Sequence, residues 1–200
     1  MRTASLLLIA VFVLSACSGF STQSPPGDVK APVAQTLEEL QVWTAKGKAS
    51  LRNNNAAESV SLIWDQNQNE ANIVLSGPLG AGATQIYSDG EILTINRNGS
   101  QDTIDISSPE AIVSNTGWDL PLQALPYWLK GLPAPELKVQ GSRRDATSGS
   151  LTALRQEGWS LELTRYTQLG SLRLPNRIRL EKADTKILVV IRHWELGGAP

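Results

Sequence analysis

The periodicity of β structure is clearest in ten consecutive residues, Trp43-Thr44-Ala45-Lys46-Gly47-Lys48-Ala49-Ser50-Leu51-Arg52. Apolar or small residues alternate there with polar ones, which is typical of a strand with one buried face. The alternation returns in further short segments, and Asp89-Gly90 and Asn98-Gly99 supply hairpin turns between some of them. The predicted strands are 60–64, 71–75, 84–87, 92–95, 103–106, 137–139, 151–154, 159–163, 178–180 and 187–194. Such a series predicts an antiparallel sheet that curls into a barrel or half-barrel.

Helix signals interrupt the strand pattern in two places. Thr36 and Glu39 have the spacing of a capping box and predict a short helix before the first strand. Later, Ser108-Pro109-Glu110 has the order of a helix start. Gly117-Trp118-Asp119-Leu120-Pro121 then opens a second segment, with Leu122, Leu125, Trp128 and Leu129 at helical spacing and Gly131 as the predicted C-terminal cap. Pro126 is expected to kink or split that second helical segment. The predicted class is therefore mainly β with helices (α+β), and the helices are expected to cover the concave face of the sheet.

The N-terminus reads as an export signal. Arg2 precedes an apolar run, and the run ends at Leu14-Ser15-Ala16-Cys17. These four residues resemble the bacterial lipoprotein signal, in which the cysteine thiol is acylated and the cysteine becomes the new N-terminus. The predicted organisation is a signal peptide at 1–16, a lipidated cysteine and flexible tether at 17–34, and a single domain at 35–200.

Composition argues against several classes of function. The formal net charge is −1 and no basic stripe suggests nucleic-acid binding. Lipid would consume the only cysteine, and His193 is the only histidine, so no metal site of the usual kind is predicted. The glycines of 77–82 lack the Lys-Ser/Thr ending of a phosphate loop. No residue stands out as catalytic and no cofactor is predicted, although the residues do not exclude an enzyme.

Several motifs together resemble the outer-membrane lipoprotein receptor family LolB. They are Trp43-Thr44-Ala45-Lys46-Gly47, Gly77-Pro78-Leu79-Gly80, Trp118 with Leu120-Pro121-Leu122, Leu125, Trp128-Leu129-Lys130-Gly131-Leu132-Pro133, Leu174-Pro175 and Trp194. Their order matches the family across nearly the whole mature chain. Ser18 after the lipidated cysteine also suits sorting to the outer membrane.

The resemblance implies a strongly curved antiparallel sheet, or half-open β-barrel, with a helical lid over an apolar cavity. It implies a periplasm-facing, lipid-anchored protein of the Gram-negative outer membrane, which accepts acylated lipoproteins from a soluble LolA-like carrier and inserts them into the membrane. The resemblance also implies that the protein catalyses no reaction, and we expect a monomer. In the family, an exposed leucine on the Pro-Leu-Gly loop promotes membrane insertion, and Leu79 occupies that position.

The cavity and its lid can be assigned to particular residues. Those expected around the cavity are large, apolar and predicted to face inward: Trp64, Leu75, Trp118, Leu125, Trp128 and Trp159. The segment 118–133 is the predicted movable lid. Burying acyl chains requires such a space, since each exposed methylene costs about 0.8 kcal/mol in water. The same alternation is also compatible with a solid core.

Two other functions are compatible with the residues. A structural or envelope-assembly lipoprotein would bind a protein partner through a sheet edge and would not bind acyl chains. A lipid-anchored hydrolase of envelope polymers would need a pair of acids beside an open polar groove.

Overall fold

The computed structural model describes residues 34–52, 57–78, 82–108 and 122–197. These residues form eleven strands and one short α-helix, α1 (Leu125–Lys130). The strands are β1 (Val42–Arg52), β2 (Ala57–Asn67), β3 (Glu70–Ser76), β4 (Thr84–Ser88), β5 (Ile92–Arg97), β6 (Ser100–Asp105), β7 (Val139–Arg144), β8 (Leu151–Gln156), β9 (Trp159–Leu169), β10 (Leu172–Lys182) and β11 (Thr185–Leu196).

All eleven strands belong to one antiparallel sheet with the order β6-β5-β4-β3-β2-β1-β11-β10-β9-β8-β7. The chain therefore forms two meanders, β1–β6 and β7–β11, which join where the first strand pairs with the last. Strands β6 and β7 are the two edges, and in the described part of the chain they do not pair. The predicted class is confirmed: a mostly β protein with a large, curved, unclosed antiparallel sheet.

A bulge in the central β1–β11 pair sets which side chains face inward. Lys46 pairs with His193 but Gly47 pairs with Ile191, so Arg192 is an extra residue on β11. The extra residue shifts the alternation of β11 by one position. As a result Trp194 is buried on the concave face, and His193 is exposed on the convex face.

The helical segment is divided next to Pro126, which is one of the two outcomes that the sequence predicts. A 3₁₀ turn at Leu122–Ala124 leads into α1, and Pro126 lies in the first turn of that helix. Proline is tolerated there because the first N–H groups of a helix have no intrahelical acceptor. Pro126 thus starts the helix and does not kink it. Gly131 ends it in the left-handed region (φ 83°), as predicted.

Two other local predictions need correction. The capping contacts of Thr36 and Glu39 are present, with the Glu39 N–H 3.3 Å from Thr36 Oγ1, but the segment is only a turn. Strand β1 begins at Val42, which leaves no room for a helix to propagate. The strand predicted at 137–139 begins at Val139, since Leu137 donates its N–H to Ala134 in a turn.

Several predictions fall on residues outside the described ranges. These are the lipidation site Cys17, the signal and tether at 1–33, Leu79 of the Pro-Leu-Gly loop, the helix start at Pro109, and the cavity residue Trp118. They stay predictions.

Candidate functional site

The concave face of the sheet is apolar along rows that cross many strands. Because antiparallel partners place their side chains on the same face, the register defines each row. One row runs from β11 to β5 through Trp194, Ala45, Trp64, Ile73, Ile86 and Ile95. The apolar surface is thus continuous from the centre of the sheet towards the β6 edge.

Burial along these rows falls from the centre to that edge. Ala45, Trp64 and Trp194 are buried, whereas Ile73, Ile86 and Ile95 are only half-buried. Half-buried apolar residues on the inner face of a curved sheet form a surface that can take an apolar ligand. The half of the concave face formed by β3, β4 and β5 is therefore the candidate acyl-binding surface.

The structure places five of the six predicted cavity residues in one hydrophobic cluster. Trp64, Trp128 and Trp159 are buried, and Leu75 and Leu125 are half-buried against the same cluster. The rings of Trp128 and Trp159 pack at a centroid distance of 6.4 Å, so α1 lies directly against β9. These contacts bring the five residues together at the centre of the domain.

Three tryptophans form the centre of the concave face. The Trp43 ring lies 6.0 Å from the Trp64 ring and 5.4 Å from the Trp194 ring. The indole N–H of Trp64 donates to Gln66 Oε1 at 2.8 Å. The N–H groups of Trp43 and Trp194 are buried without an acceptor among the described residues. This centre is apolar and retains unused donors.

Gln156 fixes the segment that follows α1 to the sheet. Its Oε1 accepts from Trp128 Nε1 at 2.8 Å and from the Ala134 N–H at 2.9 Å. Its Nε2 donates to the carbonyl oxygens of Ala134 and Leu137 at 3.0 and 2.8 Å. All four bonds are satisfied around a side chain with no exposed surface. In the described part of the predicted lid, residues 122–133, α1 is therefore held by packing and by the hydrogen bond from Trp128, and Ala134 directly after the lid is bonded to Gln156 as well.

Lys130 provides a second anchor at the end of α1. The side chain is only 4% exposed, and its Nζ donates to the carbonyl of Leu40 at 2.8 Å. Burial lowers the pKa of the Lys130 ammonium, and the charge of Glu38 opposes that shift. The bond ties α1 to the residues that precede β1.

Sequence reasoning did not single out Gln156 or Lys130. The sequence did contain a signal for Gln156. It lies two residues after Leu154 on β8, so the strand alternation places this polar side chain on the same inward face as Leu154. A polar side chain at an inward position requires partners, and the strand pattern does not say which.

Two surface depressions lie at opposite ends of the central strands. One of about 290 Å³ is bordered by Trp43, Asp65 and Glu70, and one of about 340 Å³ by Arg52, Glu58 and Lys186. None of the predicted cavity residues lines either depression. Within the described ranges, no group of three or more His, Cys, Asp or Glu residues is placed to hold a metal ion. Nor does any helix in these ranges have the length and apolarity needed to span a membrane.

Comparisons with known proteins agree with the fold. A family model described as "Outer membrane lipoprotein LolB" matches residues 41–194. The chain is 31% identical to the outer-membrane lipoprotein LolB of Nitrosococcus oceani, covering 96% of this chain and 97% of the relative. Identity is 35% to the LolB of Alkalilimnicola ehrlichii, over 98% and 100% of the two chains.

Solved structures with low sequence identity share the architecture. A LolA superfamily protein from Nitrosomonas europaea superposes with a TM-score of 0.53 at 8% identity, covering 80% of this chain and 88% of the other. A DUF1329 family protein from Desulfovibrio piger gives a TM-score of 0.51 at 9% identity, over 80% and 87%. At such identities the likeness concerns the fold alone.

Proposed function

This chain belongs to the LolB family of outer-membrane lipoproteins, acts as an outer-membrane acceptor in lipoprotein localisation, and, we propose, binds the acyl chains of its cargo on the concave face. The cargo comes from a soluble LolA-like carrier of the periplasm. The observation that supports this site is the row of half-buried isoleucines, Ile73, Ile86 and Ile95, beside the buried tryptophan centre. Family membership supports binding and transfer as the activity, with no catalytic step.

The direction of transfer follows from relative affinity. Without an energy source, a lipoprotein moves from carrier to acceptor only if the acceptor binds the acyl chains more tightly. The acceptor's site must therefore bury more apolar surface of the lipid, or bury it at lower conformational cost.

Anchorage completes the proposal. The acylated Cys17 becomes the N-terminus of a monomer that faces the periplasm, and 17–34 is a tether with a reach of about 20 Å. Several acyl chains on Cys17 give stable attachment, since a single chain binds a membrane only marginally.

Replacing Ile86 with glutamate tests the concave site. Ile86 is half-buried on the concave face, so Ile86→Glu places a carboxylate where the acyl chain would lie. We expect this variant, in the soluble form that starts after Cys17, to bind a fluorescent fatty-acid analogue at least about tenfold more weakly. The readouts are probe fluorescence, quenching of tryptophan emission, and uptake of lipoprotein from the carrier.

The matched control is Ile63→Glu, because Ile63 is 39% exposed on the convex face. It should bind the probe and accept lipoprotein as the unmodified chain does. Equal losses in both variants, or no binding of saturating probe by the unmodified chain, would make a solid core the better description.

Delivery to the membrane depends on Leu79 in this proposal. The leucine lies in the 77–83 segment between β3 and β4, next to residues that favour a turn. Inserting its side chain into lipid is worth about 1.5–3 kcal/mol, enough to orient the domain and too little to anchor it. We expect Leu79→Glu to leave uptake from the carrier intact and to slow release into liposomes severely. Unfolding of the variant, or equal loss of uptake and release, would identify Leu79 as a packing residue.

A further inference from the structure

Charge is distributed unevenly across the sheet. Residues 57–108, which form β2–β6, contain seven acidic residues and a single basic one, Arg97. Strand β1 contains three basic residues and no acidic one, and residues 136–197 contain eleven basic and seven acidic residues. In the sheet β1 is followed by β11 and then by β10. The excess of positive charge therefore lies between the centre of the sheet and its β7 edge.

Four cations on the convex face of β1, β11 and β10 form what we term the convex basic patch: Lys48, Arg52, Arg177 and Lys186. Lys48 and Arg177 flank Val190 on its two sides, and Arg52 lies directly opposite Lys186. Lys48, Arg52 and Lys186 are exposed and Arg177 is half-buried.

The four cations of the patch form no ion pair within the part of the chain that the structure describes. Neighbouring cations differ: Lys46 pairs with Glu195 at 2.5 Å, and Arg179 with Glu162 at 3.0 Å. Like charges directly opposite each other across two strands destabilise a sheet, so the pairing of Arg52 with Lys186 does not serve the fold.

The surroundings of the patch suit a broad anionic surface. Leu188 and Val190 on β11 are half-buried between the cations. Two acidic residues lie on the border: Glu181 is opposite Lys186, and Glu58 lines the same depression as Arg52. Strands β1 and β3 run in the same direction, so Arg52 lies at the end of the sheet from which the 77–83 segment extends. Arg52 and the end of β3 at Ser76 therefore lie at the same end of the sheet.

We propose that the convex basic patch docks the domain on the anionic phospholipid headgroups of the membrane that holds its anchor. The inference rests on the proposed anchorage at Cys17, whose tether keeps the domain within about 20 Å of the bilayer. Each Lys or Arg next to an anionic bilayer strengthens binding about fivefold, and the attraction is screened by salt.

The test uses the mature lipidated protein reconstituted into phosphatidylethanolamine vesicles with or without phosphatidylglycerol. A donor fluorophore is attached to Ser59→Cys, an exposed site on the convex face beside β1, and headgroup-labelled lipid is the acceptor. Energy transfer should rise at least about twofold when phosphatidylglycerol is present and return to the lower value in high salt. The triple variant Lys48→Gln, Arg52→Gln, Lys186→Gln should lose this response.

A second triple variant, Lys138→Gln, Arg143→Gln, Arg155→Gln, removes the same charge near the β7 edge and should keep the response. The proposal is overturned if the patch variant responds like the unmodified protein, or if both triple variants lose the response equally. Uptake from the carrier, measured in the same preparations, should be unchanged in the patch variant. If the patch variant loses uptake but keeps the energy-transfer response, the patch is instead a docking surface for an acidic protein. If uptake persists, the acceptor function stands, whichever way the energy-transfer response turns out.

Discussion

Replacing Gln156 with leucine is expected to lower the free energy of unfolding by about 3 to 5 kcal/mol. Leucine matches the shape of glutamine but leaves the Trp128 indole N–H, the Ala134 N–H and the Leu137 carbonyl without their partner. The Ala134 carbonyl loses one of its two donors and keeps the Leu137 N–H. Each group that loses its partner then stays buried without a hydrogen bond, unless water reaches it, and this costs free energy. Urea unfolding followed by tryptophan emission measures the change.

The control for this variant is Gln85→Leu. Gln85 is exposed on the convex face of β4, so its replacement should change the free energy of unfolding by less than about 0.5 kcal/mol. Hydrogen exchange adds a local readout, since only Gln156→Leu should speed exchange at Ala134. If the two variants unfold at the same urea concentration, the Gln156 network is not what holds α1 to the sheet.

Replacing Gly47 with alanine is expected to lower the free energy of unfolding by about 3 kcal/mol or more. An added Cβ at this position would lie 2.1 Å from the Val190 carbonyl oxygen and 2.9 Å from the Ile191 Cα. Both are backbone atoms of β11, so relief requires β1 and β11 to separate. That pair joins the two meanders, and loosening it weakens the whole sheet.

Gly141→Ala is the matched control, because an added Cβ on this edge-strand glycine meets no atom within 4 Å. It should change stability by less than about 0.5 kcal/mol, as measured by thermal or urea unfolding. Comparable destabilisation at Gly141 would show that the effect at Gly47 does not come from the close approach to β11.

Strand positions were largely predictable because the sheet is half-buried along most of its length. The alternation that begins at Trp43 continues through β1, and the hairpin glycines Gly90 and Gly99 adopt positive φ between β4, β5 and β6. Helices were less predictable. The capping residues Thr36 and Glu39 form their local contacts, but the start of β1 prevents a helix.

The tertiary structure decided which polar residues are buried. Gln156 is inaccessible because Ala134 and Leu137, distant in sequence, return to pair with it. His193, by contrast, is exposed because one extra residue on β11 moves Trp194 to the concave face. Strand alternation in the sequence predicts which face of the sheet a side chain takes. A bulge reverses that assignment for the residues beyond it, and its position depends on the pairing with the neighbouring strand.

By itself the sequence determined the fold class and the family. Strand alternation, hairpin glycines and the ordered motifs from Trp43 to Trp194 are local, and each is readable without a partner. Three features were decided only by the tertiary structure. The two meanders join at β1 and β11, and α1 is anchored by Gln156 and Lys130. The four cations of the convex basic patch, Lys48, Arg52, Arg177 and Lys186, come together on one face. These features depend on pairing between residues far apart in the chain, and long-range pairing leaves no period in the sequence.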